Sequence, residues 1–162
     1  MANKDIVDGA KPYGPCLRSR PYKAEAICYP GDLLKQNAAG TVEPVSAGDA
    51  SIGVALTYAA AGAEVKVADH PDQEFVMQAD DDTISEQADL GLNYSVVVGT
   101  PNATYRRSAM EIDASTQATT ATLTLKVLRL LPAVDNAFGA NAKCICKINN
   151  HQLGSHTGTA GV

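Results

Sequence analysis

Turn-forming residues punctuate this chain at intervals of about 8–12 residues, the mark of an all-β sandwich or barrel. Pro30-Gly31-Asp32, Asn37-Ala38-Ala39-Gly40, Ser46-Ala47-Gly48-Asp49, Ala59-Ala60-Ala61-Gly62 and His70-Pro71-Asp72 each interrupt the pattern. Between them lie strand-like segments at 24–29, 33–34, 41–45, 52–58, 64–67 and 75–78. The fold class expected is therefore mainly β: an antiparallel β-sandwich or barrel with an extended N-terminal arm and at most one short helix.

Three later segments alternate cleanly. Leu92, Tyr94, Val96 and Val98 share one face against Asn93 and Ser95. Ala121, Leu123, Leu125 and Val127 oppose Thr122, Thr124 and Lys126, and Ala142, Cys144, Cys146 and Ile148 oppose Lys143 and Lys147. A period of two reads as a half-buried antiparallel strand. Leu128, Leu130 and Leu131 fall out of phase, which predicts a bulge or a stretch covered on both faces. The one helical signal is Thr83 with Glu86 three residues on, the capping-box spacing, stopping near Gly91.

Residues 1–23 read as an extended arm. Gly9, Pro12, Gly14, Pro15 and Pro21 punctuate it, and Pro15 and Pro21 push their predecessors toward extended backbone. Tyr13, Leu17 and Tyr22 are its candidate anchors, on the chain's own body or on a neighbour. Residues 24–153 form the body, from which the arm is expected to be separable. Residues 154–162, rich in Gly, Thr and Ser, read as a flexible tail or one ordered by a neighbour.

Charge divides along the same lines. The arm holds five bases and two acids, a net +3, while residues 43–89 hold eleven acids and one base, a net −10. A basic arm on an acidic body suits steering onto an acidic partner or a sister subunit. It lacks the broad cationic face that nucleic acid requires. Hydrophobic residues make up 45% of the chain, but aromatics only 5%, with no Trp, so the core must come from small aliphatic contacts. Cores this lean often draw stability from oligomerisation or docking.

Reactive chemistry is sparse. Cys144 and Cys146 form C-x-C on an inward face, and His151 and His156 lie near them without zinc spacing. Cys16 and Cys28 are the pair with room for a disulfide. Asp80-Asp81-Asp82 lacks the pattern of a calcium loop. No G-x-S-x-G and no phosphate-binding glycine motif occurs. No apolar run approaches a membrane span of about 20 residues. The N-terminus lacks a signal-peptide core, which places synthesis in the cytoplasm. No catalytic, cofactor or metal site is expected, and no nucleic-acid or membrane partner.

The second half carries a resemblance. Its residues run from Phe75-Val76-Met77-Gln78-Ala79-Asp80 and Ala88-Asp89-Leu90-Gly91-Leu92-Asn93 to Ser108-Ala109-Met110-Glu111-Ile112-Asp113 and the Thr-rich strand 119–128. The strongest block is Asp135-Asn136-Ala137-Phe138-Gly139-Ala140-Asn141-Ala142-Lys143, followed by Ile148-Asn149-Asn150-His151-Gln152 and the closing Gly158-Thr159-Ala160-Gly161-Val162. Over roughly residues 24–162 the chain resembles the head decoration or structural cement proteins of tailed bacteriophages. Cys144 and Cys146 depart from the bulky apolar residues common there, and the arm matches least.

That resemblance implies a non-enzymatic virion protein on the outer capsid surface, made in the host bacterial cytoplasm. Its implied partners are the major capsid protein and copies of itself, as a homotrimer in preference to a dimer. Residues expected at the capsid or subunit interface are Tyr13, Leu17, Arg18, Arg20, Tyr22, Arg106, Arg107, His151, Gln152 and His156. The alternative function is a β-sandwich adhesin or carbohydrate-binding module displayed on the virion.

Overall fold

The computed structural model describes residues 2–154 and 158–162. The chain is mainly β, with 39% strand and 2% helix, in two antiparallel sheets consistent with a β-sandwich. The strands are β1 (Lys11–Pro12), β2 (Ser19–Lys23), β3 (Leu33–Gln36), β4 (Val42–Pro44), β5 (Gly53–Ala55) and β6 (Glu64–Ala68). They continue with β7 (Glu74–Gln78), β8 (Asn93–Val98), β9 (Met110–Ala118), β10 (Leu125–Leu130) and β11 (Lys143–Ile148). The larger sheet runs β1-β7-β11-β10-β8-β9 and the smaller β2-β6-β5-β3-β4.

Alternation decides what each sheet buries. On the larger sheet Phe75, Met77, Tyr94, Val96, Met110, Ile112, Leu125, Val127, Cys144, Cys146 and Ile148 face one core. Leu33, Val54 and Ala68 of the smaller sheet close that core from the other side. The opposite residues of the same strands, Leu34, Ala55, Val65 and Val67, point into a second core with Ala24, Cys28, Val42, Ile52 and Ala59. The central strands of the smaller sheet are thus covered on both faces and support two hydrophobic cores.

Single parallel bridges cover the open edges of β9 and β4. Ala79 pairs with Ile112, and Ala24 with Val42. Around them Asp80 N–H donates to Ile112 O at 3.1 Å, and Glu25 N–H to Val42 O at 2.7 Å. Ala114 N–H adds a bond to Asp80 Oδ1 at 2.9 Å. Edge strands covered in this way offer fewer free backbone groups to passing chains.

Several expectations change in detail. The stretch 24–29 is not a strand; Ala24 and Cys28 make one bridge each and drop their side chains into the second core. The helical signal becomes a 3-10 turn at Gln87–Asp89, after Glu86. Its brace is the Asp89 carboxylate, which accepts from Ser85 and Glu86 N–H at 2.8 and 2.9 Å. Past Val127 the ladder with β11 slips by one residue, the bulge that the phase change anticipated. On β8 both faces are buried. Asn93 Nδ2 bonds Thr120 O and Thr159 O, and Ser95 Oγ takes Gly48 N–H.

The chain ends lie along the body. β1 extends the larger sheet beside β7, and β2 extends the smaller one beside β6. Nearer the start, Asn3 exchanges hydrogen bonds with Ala137 and Ala140, and Ile6 N–H donates to Gln78 Oε1. At the other end Thr159 N–H bonds Asn149 Oδ1, Gly161 N–H bonds Thr119 O, and Val162 N–H bonds Gly91 O. The described tail residues 158–162 are therefore ordered by their own chain, because Asn93 and Asn149 supply side-chain partners that alternation alone does not reveal.

Arg18, Arg20 and Tyr22 are the partners of the buried Asp69 carboxylate, so residues 1–23 give the body ion pairs as well as strands. Replacing the two arginines within the intact arm, as in R18M/R20M, should cost about 3 kcal/mol by leaving that buried charge without a cation, read as a lower urea midpoint.

Candidate functional site

Between β8 and β9 the chain forms a hairpin whose residues 102–107 are all exposed. Its neck is zipped by Gly99 N–H to Ala109 O and by paired bonds between Asn102 and Arg107 at 2.9 and 3.0 Å. Asn102 Oδ1 then accepts Tyr105 N–H at 3.0 Å and tightens the tip. Below the neck, Ser108 is buried against the Gly9 and Gly31 backbones. A Cβ on Gly9 would come within 2.5 Å of Gly31 O and 2.6 Å of Ser108 Cβ. The two glycines let the N-terminal segment, the 30–31 turn and the hairpin base meet without a gap.

At the tip, Arg106 holds a left-handed backbone with φ 52°. For a residue other than glycine this costs roughly 1 kcal/mol. The strained backbone accompanies a placement of the Arg106 guanidinium 4.1 Å from the centre of the Tyr58 ring. Tyr58 meets Tyr29 edge to face at 5.6 Å, so a loop of the smaller sheet backs the hairpin. Arg107 lies 6.0 Å from the Tyr105 ring, and that ring is 72% exposed. A cation over an aromatic face in partly exposed surroundings contributes about 0.5–1 kcal/mol, enough to restrain the side chain.

The fate of the five arginines separates this pair from the rest. Arg18 Nε and Arg20 Nε reach the two oxygens of Asp69 at 2.8 and 3.2 Å. Arg129 pairs with Glu74 at 3.8 Å and lies over Tyr13. Among the described residues, neither the Arg106 nor the Arg107 guanidinium has an ion pair or a hydrogen bond. Residues 90–110 contain no Asp or Glu. The tip therefore presents two restrained cations with free N–H donors.

The other expected interface residues are mostly engaged inside the chain. Tyr22 donates its hydroxyl to Asp69 Oδ2 at 2.6 Å. Burial drives the phenol up, the bond to Asp69 adds to it, and its pKa stands at about 12. On the Asp69 side chain, burial alone would raise the pKa, but Tyr22 and the two arginines outweigh it and hold the carboxyl below its usual range. Tyr13 N–H bonds Glu74 O, and Leu17 N–H bonds Gln73 Oε1, leaving the Leu17 side chain 53% exposed. Gln152 fastens to Gln36 by two bonds, from Gln36 N–H at 2.7 Å and to Gln36 O at 2.9 Å. His151 is buried beside them, and His156 lies outside the described residues.

Tyr29, Tyr58 and Tyr105 were not anticipated at this surface, nor Asp69 as the arm's anchor. Tyr105 adjoins the Arg pair in sequence and offered a local signal. Tyr58 is brought there only by the fold. The described residues contain no group of three His, Cys, Asp or Glu able to hold a metal. All four cysteines are free, Cys16 exposed and Cys28 buried in the second core, so they form no disulfide. Burial raises the Cys28 and Cys144 thiols to about 12, consistent with inert packing residues. No protein-family model matches the chain, and no curated protein matches it.

The His151 ring accepts Leu153 N–H on Nδ1 at 3.0 Å, while its buried Nε2 has no partner. Burial lowers its pKa from 6.5 to about 4. Since the fold holds the neutral ring, stability is full above 6.5 and declines as pH falls toward about 4. The loss should be on the order of 2–3 kcal/mol. Denaturant midpoints measured across that range should show it, and His151→Gln should flatten the decline.

Proposed function

We propose that this chain is a structural protein of a tailed-phage head, a cement or decoration protein that binds the major capsid protein and bridges neighbouring capsomers. The observation that carries this reading is the braced hairpin with its unpaired Arg106 and Arg107. On an acidic protein, a restrained Tyr and Arg tip has the composition of an interface hot spot. The sequence resemblance over residues 24–162 supplies the class of partner. Two sheets, with both end segments hydrogen-bonded to them, supply the scaffold from which the tip projects. Many copies on one shell would turn modest single contacts into strong avidity.

The placement of the arm changes how such a protein would grip. Arg18, Arg20 and Tyr22 serve the body through Asp69. Contact with the shell then falls to exposed features, the hairpin tip first. A sugar-binding module on the virion is the competing reading. Stacking on sugars needs free ring faces; Arg106 covers one face of Tyr58, and Tyr29 packs against its ring. Tyr105 is the freely exposed ring of the cluster, a thin platform for a glycan.

The purified protein, added to phage heads stripped of it, should co-sediment to a saturating stoichiometry and raise the temperature at which they release DNA. Heads that neither bind it nor gain heat resistance would exclude the cement function.

A further inference from the structure

We infer that Arg106 and Arg107 form a carboxylate-reading pair that takes an acidic, extended segment of the partner protein. The inference rests on the cement reading for the partner's identity, but the chemistry of the site stands on geometry. Two consecutive arginines stand at one hairpin tip, their guanidiniums 4.1 and 6.0 Å from different aromatic rings. Neither has an ion pair or hydrogen bond among the described residues, and no acid lies within 90–110 in sequence. Lying over the Tyr58 ring leaves the in-plane N–H donors of Arg106 free, Arg107 stands at the edge of contact with Tyr105, and the planar fork of a guanidinium matches a carboxylate through two parallel bonds.

Arginine is needed here for its shape as well as its charge. A lysine ammonium is a strongly hydrated point charge and does not form the same planar fork. Tyr58 acts as a positioning residue: its ring, wedged by Tyr29, limits where Arg106 can go. The left-handed backbone at Arg106 is part of the turn that points its side chain back toward Tyr58. Phosphate is the rival oxyanion. A nucleic-acid backbone is a poor match, because binding it draws on many cationic contacts, whereas this chain carries a net charge of −5. An acidic protein segment asks for two.

Two measurements on the full chain decide the matter. In the first, the Arg106 and Arg107 side-chain Nε–H resonances are followed by NMR during titration with hexaglutamate, hexaglutamine or inorganic phosphate. Hexaglutamate alone should move both signals. A stronger response to phosphate, or none to hexaglutamate, overturns the assignment. In the second, binding to stripped phage heads is compared between the wild type and variants whose backbone amide spectra match it away from the hairpin. The double variant R106K/R107K should bind about tenfold more weakly. Tyr58→Leu should also weaken binding and loosen the Arg106 signal, while Tyr58→Phe retains both. Lysine variants that bind like the wild type overturn the carboxylate fork and leave the cement reading intact. A wild type that ignores heads yet responds to hexaglutamate overturns the cement reading and leaves the fork intact.

Discussion

Asp69 is the point on which the rest of this structure depends. Its side chain is fully buried, and an isolated carboxylate there would be several kcal/mol out of balance. Arg18, just before β2, and Arg20 and Tyr22 within it restore that balance. The interaction is reciprocal. The carboxylate needs the arm to remain charged in the interior, and the arm gains from it a charged anchor beside its strand pairings. Burial favours the neutral acid and the three partners favour the anion, and the partners win.

With the arm held, the lean composition becomes workable. Without Trp and with little Phe, no single core could be large, and the chain instead divides its small aliphatics between two cores that share one sheet. The central strands β3, β5 and β6 of that sheet then bury apolar side chains on both sides. Asparagine and glutamine tie the remaining joints. Asn93 and Asn149 hold the tail, Gln73 and Gln78 hold the N-terminal segment, and Gln152 holds β3. A side-chain amide suits this work because it carries both donors and an acceptor, which can meet the backbone of a segment that has no sheet partner of its own.

This internal use of polar groups gives the hairpin its meaning. Where charge is matched inside the molecule, it stabilises the fold and contributes little to recognition. Arg106 and Arg107 are matched by rings and not by acids, so their restraint leaves the charge unneutralised. The proposed role on a phage head follows from that contrast, together with the sequence resemblance.

By itself the sequence determined the β class, the turn positions, the inward face of Cys144 and Cys146, and a break in phase after Val127 that the fold resolves as a bulge. These are local properties, because alternation and turn chemistry act over a few residues and are written in order along the chain. The pairing of Ser19–Lys23 with β6, the two cores and the fate of the interface candidates were decided by tertiary structure alone. A charged residue reads the same in sequence whether its partner is solvent, Asp69 or another protein. Arg18 and Arg106 look alike until the fold brings a carboxylate 51 residues away to the first and only the ring of Tyr58 to the second.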